Sequence, residues 1–333
     1  MKFEDVLGCY AGKRILITGG AGCIGSNLTR ALIKADVDKI FVLDNLSSAE
    51  SWNVPNDPAV VFIQGSVLDE ELLKKTFSEN PHYVLHLAAL FANQNSIDHP
   101  ETDLLVNGLG TLKVLQHSHQ TNVEKFVFAS SGCSVYGSQA PLPLREDFVS
   151  LHLDTPYQIT KLLGELYCNF FHNYYGLPVV IGRFFNVYGP SEVPGRYRNV
   201  IPNFIYWALH HQPLPITGTG EETRDFTFVE DIVDGFLRAG AIPEAVGEAI
   251  NLASGTETKV MDLANEINSL TGNNGLKFVE RRDWDKIIRR RASIEKARKI
   301  LGYEPKIRIK EGMKRTVDWF LQHRDKIETS ARF

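Results

Sequence analysis

Short apolar runs alternate with longer stretches of helical period through the first half of the chain. Arg14–Thr18, Lys39–Leu43, Val60–Gln64, Tyr83–Leu87, Lys125–Ala129 and Val179–Phe184 each hold consecutive apolar residues with little polar alternation. That is the mark of strands covered on both faces. Between them, residues 26–34, 69–79, 101–120 and 157–175 repeat apolar side chains at helical spacing. Strand and helix in alternation predict an α/β fold built on a doubly wound parallel sheet. After Phe185 the texture changes to a loop rich in Gly, Pro and charge, then a helix over 201–211 and a charged segment, Arg224–Asp231, leading into another helix. Glu248–Ala253 reads as a return to the sheet. The pattern predicts one domain over 1–185, rejoined by about 225–255, and a smaller mixed α/β domain over 186–333 interleaved with it.

The turn after the first strand, Gly19-Gly-Ala-Gly22-Cys-Ile-Gly25, opens the next helix. Strand, glycine turn and helix together make a dinucleotide-binding fingerprint, in which glycine lets the backbone approach a pyrophosphate at the helix N-terminus. The second strand runs into Asp44, at the spacing of a ribose-binding acid. An acid there repels a 2′-phosphate, which favours NAD over NADP. Ligands of such sheets bind at the carboxyl ends of the strands. Those ends are Gly19–Gly25, Asp44-Asn45, Gly65–Val67, Leu87–Ala89, Ser130-Ser131 and Phe185-Asn186.

A second signal lies in Asp154-Thr-Pro-Tyr157-Gln-Ile-Thr-Lys161. Pro156 is suited to a first helical turn, where no backbone donor is needed. Residues four apart on a helix share a face, so the Tyr157 phenol and the Lys161 ammonium can enter one cavity. A neighbouring cation favours phenolate, as a proton-abstracting tyrosine requires. The spacing alone is common on ordinary helices. Its position between the strands ending at Ser131 and Phe185 gives it weight, because that puts it beside the cleft.

Composition narrows the classes without choosing among them. A chain of 333 residues, 43% hydrophobic and 23% charged, is an ordinary soluble globular protein. The net charge of −4 gives no footprint for nucleic acid or an anionic membrane. Four scattered cysteines have no metal-ligand spacing, so neither a metal site nor a disulfide framework is indicated. No signal peptide or spanning segment is evident, which makes the cytoplasm the expected location.

Taken in order, Thr18–Ser26, His86-Leu-Ala-Ala89, Ser130-Ser-Gly-Cys-Ser-Val-Tyr-Gly137, Tyr157–Lys161, Arg183-Phe-Phe-Asn-Val-Tyr-Gly-Pro190 and Thr223–Asp231 resemble the extended short-chain dehydrogenase/reductase family. Within it, the chain is similar to NAD-dependent nucleotide-sugar epimerases and dehydratases over nearly its whole length. The resemblance implies a Rossmann-type sheet with a smaller C-terminal substrate domain. It implies that Gly19, Gly22, Cys23, Ile24 and Gly25 cradle the pyrophosphate of NAD, and that Asp44, Asn45 and Ser47 hold the adenosine ribose. Ser66 and Val67 flank adenine, with Ser66 where the family usually has an acid. By the same resemblance Leu87, Ala88, Ala89, Ser130 and Phe184 complete the cofactor set, and Asn107 supports the active-site backbone. The resemblance further implies that Lys161 binds the nicotinamide ribose and that Tyr157 is the base that takes a sugar hydroxyl proton. Relatives carry Ser or Thr four residues before the tyrosine of Val-Tyr-Gly; here that position is Gly132. Ser134 is the favoured substitute, ahead of Ser131, Cys133 or a bound water.

The same segment separates reactions. The 4,6-dehydratases of the family place Asp-Glu at the positions of Cys133 and Ser134, and the decarboxylases keep a Glu at the second. With neither acid present, the resemblance implies C4 epimerisation of a nucleotide-diphosphate sugar, UDP being the commonest case. A dehydratase or decarboxylase is the alternative, and a sensor without turnover is the alternative of another class. Asn186, Arg224, Arg282 and Asp285 are the expected substrate residues, and Arg289–Arg291 either extend that site or form a solvated helix face. The helices at 101–120 and 157–175 resemble those that pair as a four-helix bundle in family homodimers. Leu112, Leu115, Leu166 and Phe170 are candidates for that interface or for the core.

Overall fold

Strand β1, Arg14–Thr18, is buried at every residue after its first. Its side chains alternate between two cores, Ile15 and Ile17 joining one while Leu16 joins the other. The computed structural model describes all 333 residues. It repeats this arrangement in β2 (Lys39–Asp44), β4 (Tyr83–His86), β5 (Lys125–Ser131), β6 (Val179–Phe184) and β7 (Ala249–Leu252), and more openly in the edge strand β3 (Val60–Gln64), whose residues are only partly buried or exposed. The seven strands form one sheet in the order β7-β6-β5-β4-β1-β2-β3, and every pairing is parallel. Ile40 and Val42 of β2 face the first core; Phe41 and Leu43 face the second. A continuous apolar run is therefore required, because each face of the sheet is covered by helices.

One layer contains the helices Cys23–Ile33 and Val229–Ala241, which bury Leu28, Leu32, Phe236 and Leu237. The other contains Glu70–Phe77, Thr111–Gln120 and Pro156–Tyr175, which bury Leu73, Phe77, Leu115, Cys168 and Phe171. The chain winds outward from β1 to β3, returns to β4, and winds the other way. The boundary between β1 and β4 is therefore a topological switch point, where a crevice opens beyond the strand ends.

The long helix Pro156–Tyr175 starts on Thr155, whose side chain accepts from the Gln158 N–H, and stops at Gly176 in the left-handed conformation, φ +71°. The predicted helix over 101–120 is more complex. It is α-helical over Pro100–Asp103 and Thr111–Gln120 and wound as a π-helix over Leu104–Gly110. A further helix, Asn93–Asp98, has no sequence counterpart in the expectations.

Beyond Phe185 a separate core forms from Tyr188, Phe204, Phe228, Leu263 and Met313. Two short parallel pairs and one antiparallel pair frame it: Asn186–Tyr188 with Phe226–Phe228, Leu214–Thr217 with Leu276–Val279, and Thr223–Arg224 with Thr258–Lys259. The chain then re-enters the main sheet, where β7 takes the edge beside β6. No helix is long and apolar enough to cross a membrane.

Candidate active site

The strand ends and the separate core beyond Phe185 enclose a cavity of about 680 Å³. The glycine turn forms its floor. A Cβ on Gly19 would lie 2.7 Å from the Ala88 backbone nitrogen, and one on Gly25 would lie 2.5 Å from the Gly19 carbonyl oxygen. Gly19 also has φ +70°, a left-handed conformation. Beside the turn, Asp44 accepts from the Ala21 N–H at 3.0 Å and from the Leu46 N–H at 2.8 Å. A bare backbone turn, a helix N-terminus and a carboxylate at the end of β2 fit a dinucleotide with a free ribose diol. Cys23, Ile24, Asn45, Ser47, Ser66, Val67, Leu87, Ala88, Ala89, Ser130 and Phe184 all line the same cavity.

Asn107 does not line the cavity. Its side chain turns inward, accepting from the Leu90 N–H at 2.8 Å and donating to the Leu90 carbonyl at 3.2 Å. It fixes the backbone of the cleft wall from behind.

Tyr157 and Lys161 are both buried and both border the cavity. The Lys161 ammonium donates to the Ala129 carbonyl at 2.9 Å and lies 5.7 Å from the Tyr157 ring centroid. Burial pulls the Lys161 pKa down to about 8, against the opposing field of Asp103. Burial also drives the Tyr157 phenol well above its ordinary value, with Asp103 and Cys133 adding to the rise. The chain's own groups therefore hold this phenol protonated, and the expected lowering of its pKa by Lys161 is outweighed. Asp103 escaped the sequence reading. Fully buried, it accepts from Thr160 Oγ1 at 2.6 Å and from Asn107 Nδ2 at 2.7 Å, which locks the helix turn between Tyr157 and Lys161.

Gly132 has a steric cause. A Cβ there would overlap the Phe185 ring, so the hydroxyl side chain expected at this position has no room. The neighbouring candidates all border the cavity. Ser134 Oγ donates to Ser131 Oγ at 3.0 Å, and the Cys133 thiol, pushed up by burial, donates to Asn186 Oδ1 at 3.4 Å.

Below this loop a buried network crosses four elements. Arg183 of β6 forks onto Glu165 of the long helix at 2.9 and 2.8 Å and donates to the Tyr136 hydroxyl at 3.0 Å. Ser130 of β5 also donates to Glu165, and Tyr136 donates to Asn251 of β7 at 2.7 Å.

On the far wall, Asn186, Arg224, Arg282 and Asp285 all face the cavity, and Arg224 pairs with Asp285 at 3.0 Å. Trp284 donates across the opening to Gln94 Oε1 at 2.9 Å. The basic run 289–291 is not helical, and its side chains diverge. Arg289 pairs with Glu257 at 2.6 Å outside, and Arg290 turns into the cavity.

Glu192 and Asn199 are further wall residues that sequence patterns did not mark. Asn199 Nδ2 donates to Glu192 Oε1 at 2.8 Å, and Glu192 Oε2 is buried without a partner. Burial raises the Glu192 pKa to about 7 from 4.5. A raised folded-state pKa means the acid form favours folding. The contribution is complete below pH 4.5 and lost as pH rises through 7. Glu192→Gln should therefore stabilise the protein above pH 7 by about 1–3 kcal/mol and leave it unchanged below pH 4.5. Equal melting shifts at both pH values would refute this.

The chain is similar to an epimerase of Methanothermobacter thermautotrophicus, at 56% identity with a TM-score of 0.98, covering 99% of this chain and 98% of that one. It is also similar to the Bordetella bronchiseptica enzyme WbmF, solved in complex with NAD+ and UDP, at 39% identity and a TM-score of 0.85 over 97% and 96% of the two chains. The UDP-glucose 4-epimerase of Mycolicibacterium smegmatis is 34% identical over 92% of this chain and 98% of its own. With residues 15–253 matching its model, the chain belongs to the NAD dependent epimerase/dehydratase family.

Proposed function

We propose that the protein interconverts the C4 epimers of a nucleotide-diphosphate sugar, most simply a UDP-hexose or a derivative. The observation that carries this reading is the buried Tyr157–Lys161 pair on the wall of the cavity, with Cys133 and Ser134 where elimination chemistry would need carboxylates. Tyr157 takes the proton of the C4 hydroxyl and later returns it. Lys161, held by the Ala129 carbonyl, fixes the nicotinamide ribose and places a positive charge beside the phenol. When bound, NAD would supply hydride acceptance at C4 and its return to the opposite face of the 4-keto sugar, and its positive charge would work against the burial that keeps Tyr157 protonated. Ser134, with Ser131 behind it, orients the reacting hydroxyl in place of the side chain missing at Gly132. Arg224 and Arg282 hold the diphosphate, since a planar guanidinium donates two parallel hydrogen bonds to it. The segment from 186 onward thus serves the nucleotide sugar, and the preceding sheet serves NAD.

Incubation with UDP-glucose, UDP-N-acetylglucosamine and UDP-glucuronate, followed by resolution of C4 epimers, tests the proposal. Interconversion of at least one pair is expected. Bound NAD with no interconversion would overturn it, and a 4-keto-6-deoxy product or released carbon dioxide would replace it with dehydration or decarboxylation.

We further propose that a second copy of the chain covers the helices over 100–120 and 156–175. Leu104, Leu105, Ile159, Leu166 and Phe170 are 54%, 47%, 54%, 57% and 47% exposed on them, a continuous apolar burden for a free surface. Leu115 belongs instead to the core, and Leu112 packs partly against it.

A further inference from the structure

Arg183, Arg238 and Arg290 are the arginines buried to 5% exposure or less. Arg183 pairs with Glu165 at 2.8 Å and Arg238 with Asp234 at 2.7 Å. Arg290 pairs with no carboxylate. Two of its N–H groups donate to the carbonyls of Gly132 and Gly137, at 3.0 and 3.3 Å. A guanidinium has five such donors, so three are left over. Buried charge without a counter-charge is costly, and proteins pair it or spend it on a ligand.

The position of this cation is built. The residues that follow it are clamped from two sides: the Leu144 N–H donates to the Arg291 carbonyl and the Ser293 N–H to the Leu144 carbonyl, both at 2.8 Å, and the Ala292 N–H donates to Asp225 at 3.2 Å. The backbone that carries the guanidinium is thus fixed, and the side chain is held inward by its bonds to Gly132 and Gly137. Its contact with Gly132 puts it at the catalytic loop, one residue from Cys133.

We propose that Arg290 receives an anionic group carried by the sugar itself, so that the substrates are nucleotide-activated uronic acids. This rests on the C4-epimerase reading. The C6 carboxylate of a hexuronate hangs from C5, the neighbour of the reacting C4, which is the part of the substrate the catalytic loop faces. A planar fork of N–H donors matches a carboxylate bidentately. Bound there, the carboxylate supplies the direct ion pair that Asp285 and Asp154 act from too far to form, and fixes which ring face meets Tyr157.

The test uses the NAD-loaded protein and isothermal titration with UDP-glucuronate, UDP-glucose and UDP. UDP-glucuronate should bind about 10–100-fold more tightly than UDP-glucose. In Arg290→Gln that ratio should collapse towards one, and Arg290→Lys should restore part of it. Binding of UDP alone reports that each variant is folded. Equal affinity of the wild-type protein for the two sugars would overturn the inference without any variant, as would an equal loss for both sugars in Arg290→Gln. Because binding is read before chemistry, a protein that prefers the uronate yet epimerises nothing would refute only the reaction. One that epimerises neutral hexoses with no uronate preference would refute only the role of Arg290.

Discussion

Tyr157→Phe should lower turnover of the nucleotide sugar by about 10²–10⁴-fold, the range expected when a positioned acid–base group is removed. The change deletes one oxygen. The ring keeps its edge contact with Phe91, centroids 6.1 Å apart, and the Tyr157 N–H keeps its bond to Ser96 at 3.0 Å. NAD binding and melting temperature should therefore remain near wild type, so that the loss falls on the chemical step. The measurement also separates an enzyme from a sensor. A protein that only reports NAD or nucleotide sugar would bind both as before and keep its biological effect in the variant. Unchanged turnover would remove Tyr157 from the mechanism.

Glu165→Ala should destabilise the protein by about 3–5 kcal/mol, because it leaves the Arg183 guanidinium buried and unpaired. Both side chains are almost fully enclosed, at 3% and 4% exposure. Removing the carboxylate also strips the acceptor from Ser130 and loosens the Tyr136–Asn251 link. Chemical denaturation measures the effect, and a loss below about 1 kcal/mol, typical of a surface pair, would show that the network carries little. Activity should fall as well, since Glu165 lies one turn beyond Lys161 on the same helix.

The strands were legible because a parallel sheet enclosed by helices demands unbroken apolar runs, and few other structures do. The glycine turn was legible for a similar reason: backbone close to backbone admits no Cβ at Gly19 or Gly25. Tyr157 and Lys161 could be placed by helical spacing plus strand order. What remained hidden depends on partners distant in the chain. Glu165 sits within an apolar stripe and reads as a surface residue until Arg183 is seen facing it. Asp103 carries no local pattern, and its meaning comes from Thr160 and Asn107. The absence of a side chain at Gly132 is explained only by the Phe185 ring beside it. Among three consecutive arginines, the inward one is marked only by its partners, the carbonyls of Gly132 and Gly137. A helical reading of the run would have chosen differently.

The excursion of the chain beyond Phe185 and its return as β7 has a practical effect on dissection. A fragment ending after β6 would lose the strand that covers that edge, along with Asn251, and would expose a row of unsatisfied amide and carbonyl groups. Bare edges of this kind recruit other molecules. The two halves are thus stitched rather than strung, and neither can be excised as a contiguous piece without turning a covered sheet edge into a template for aggregation.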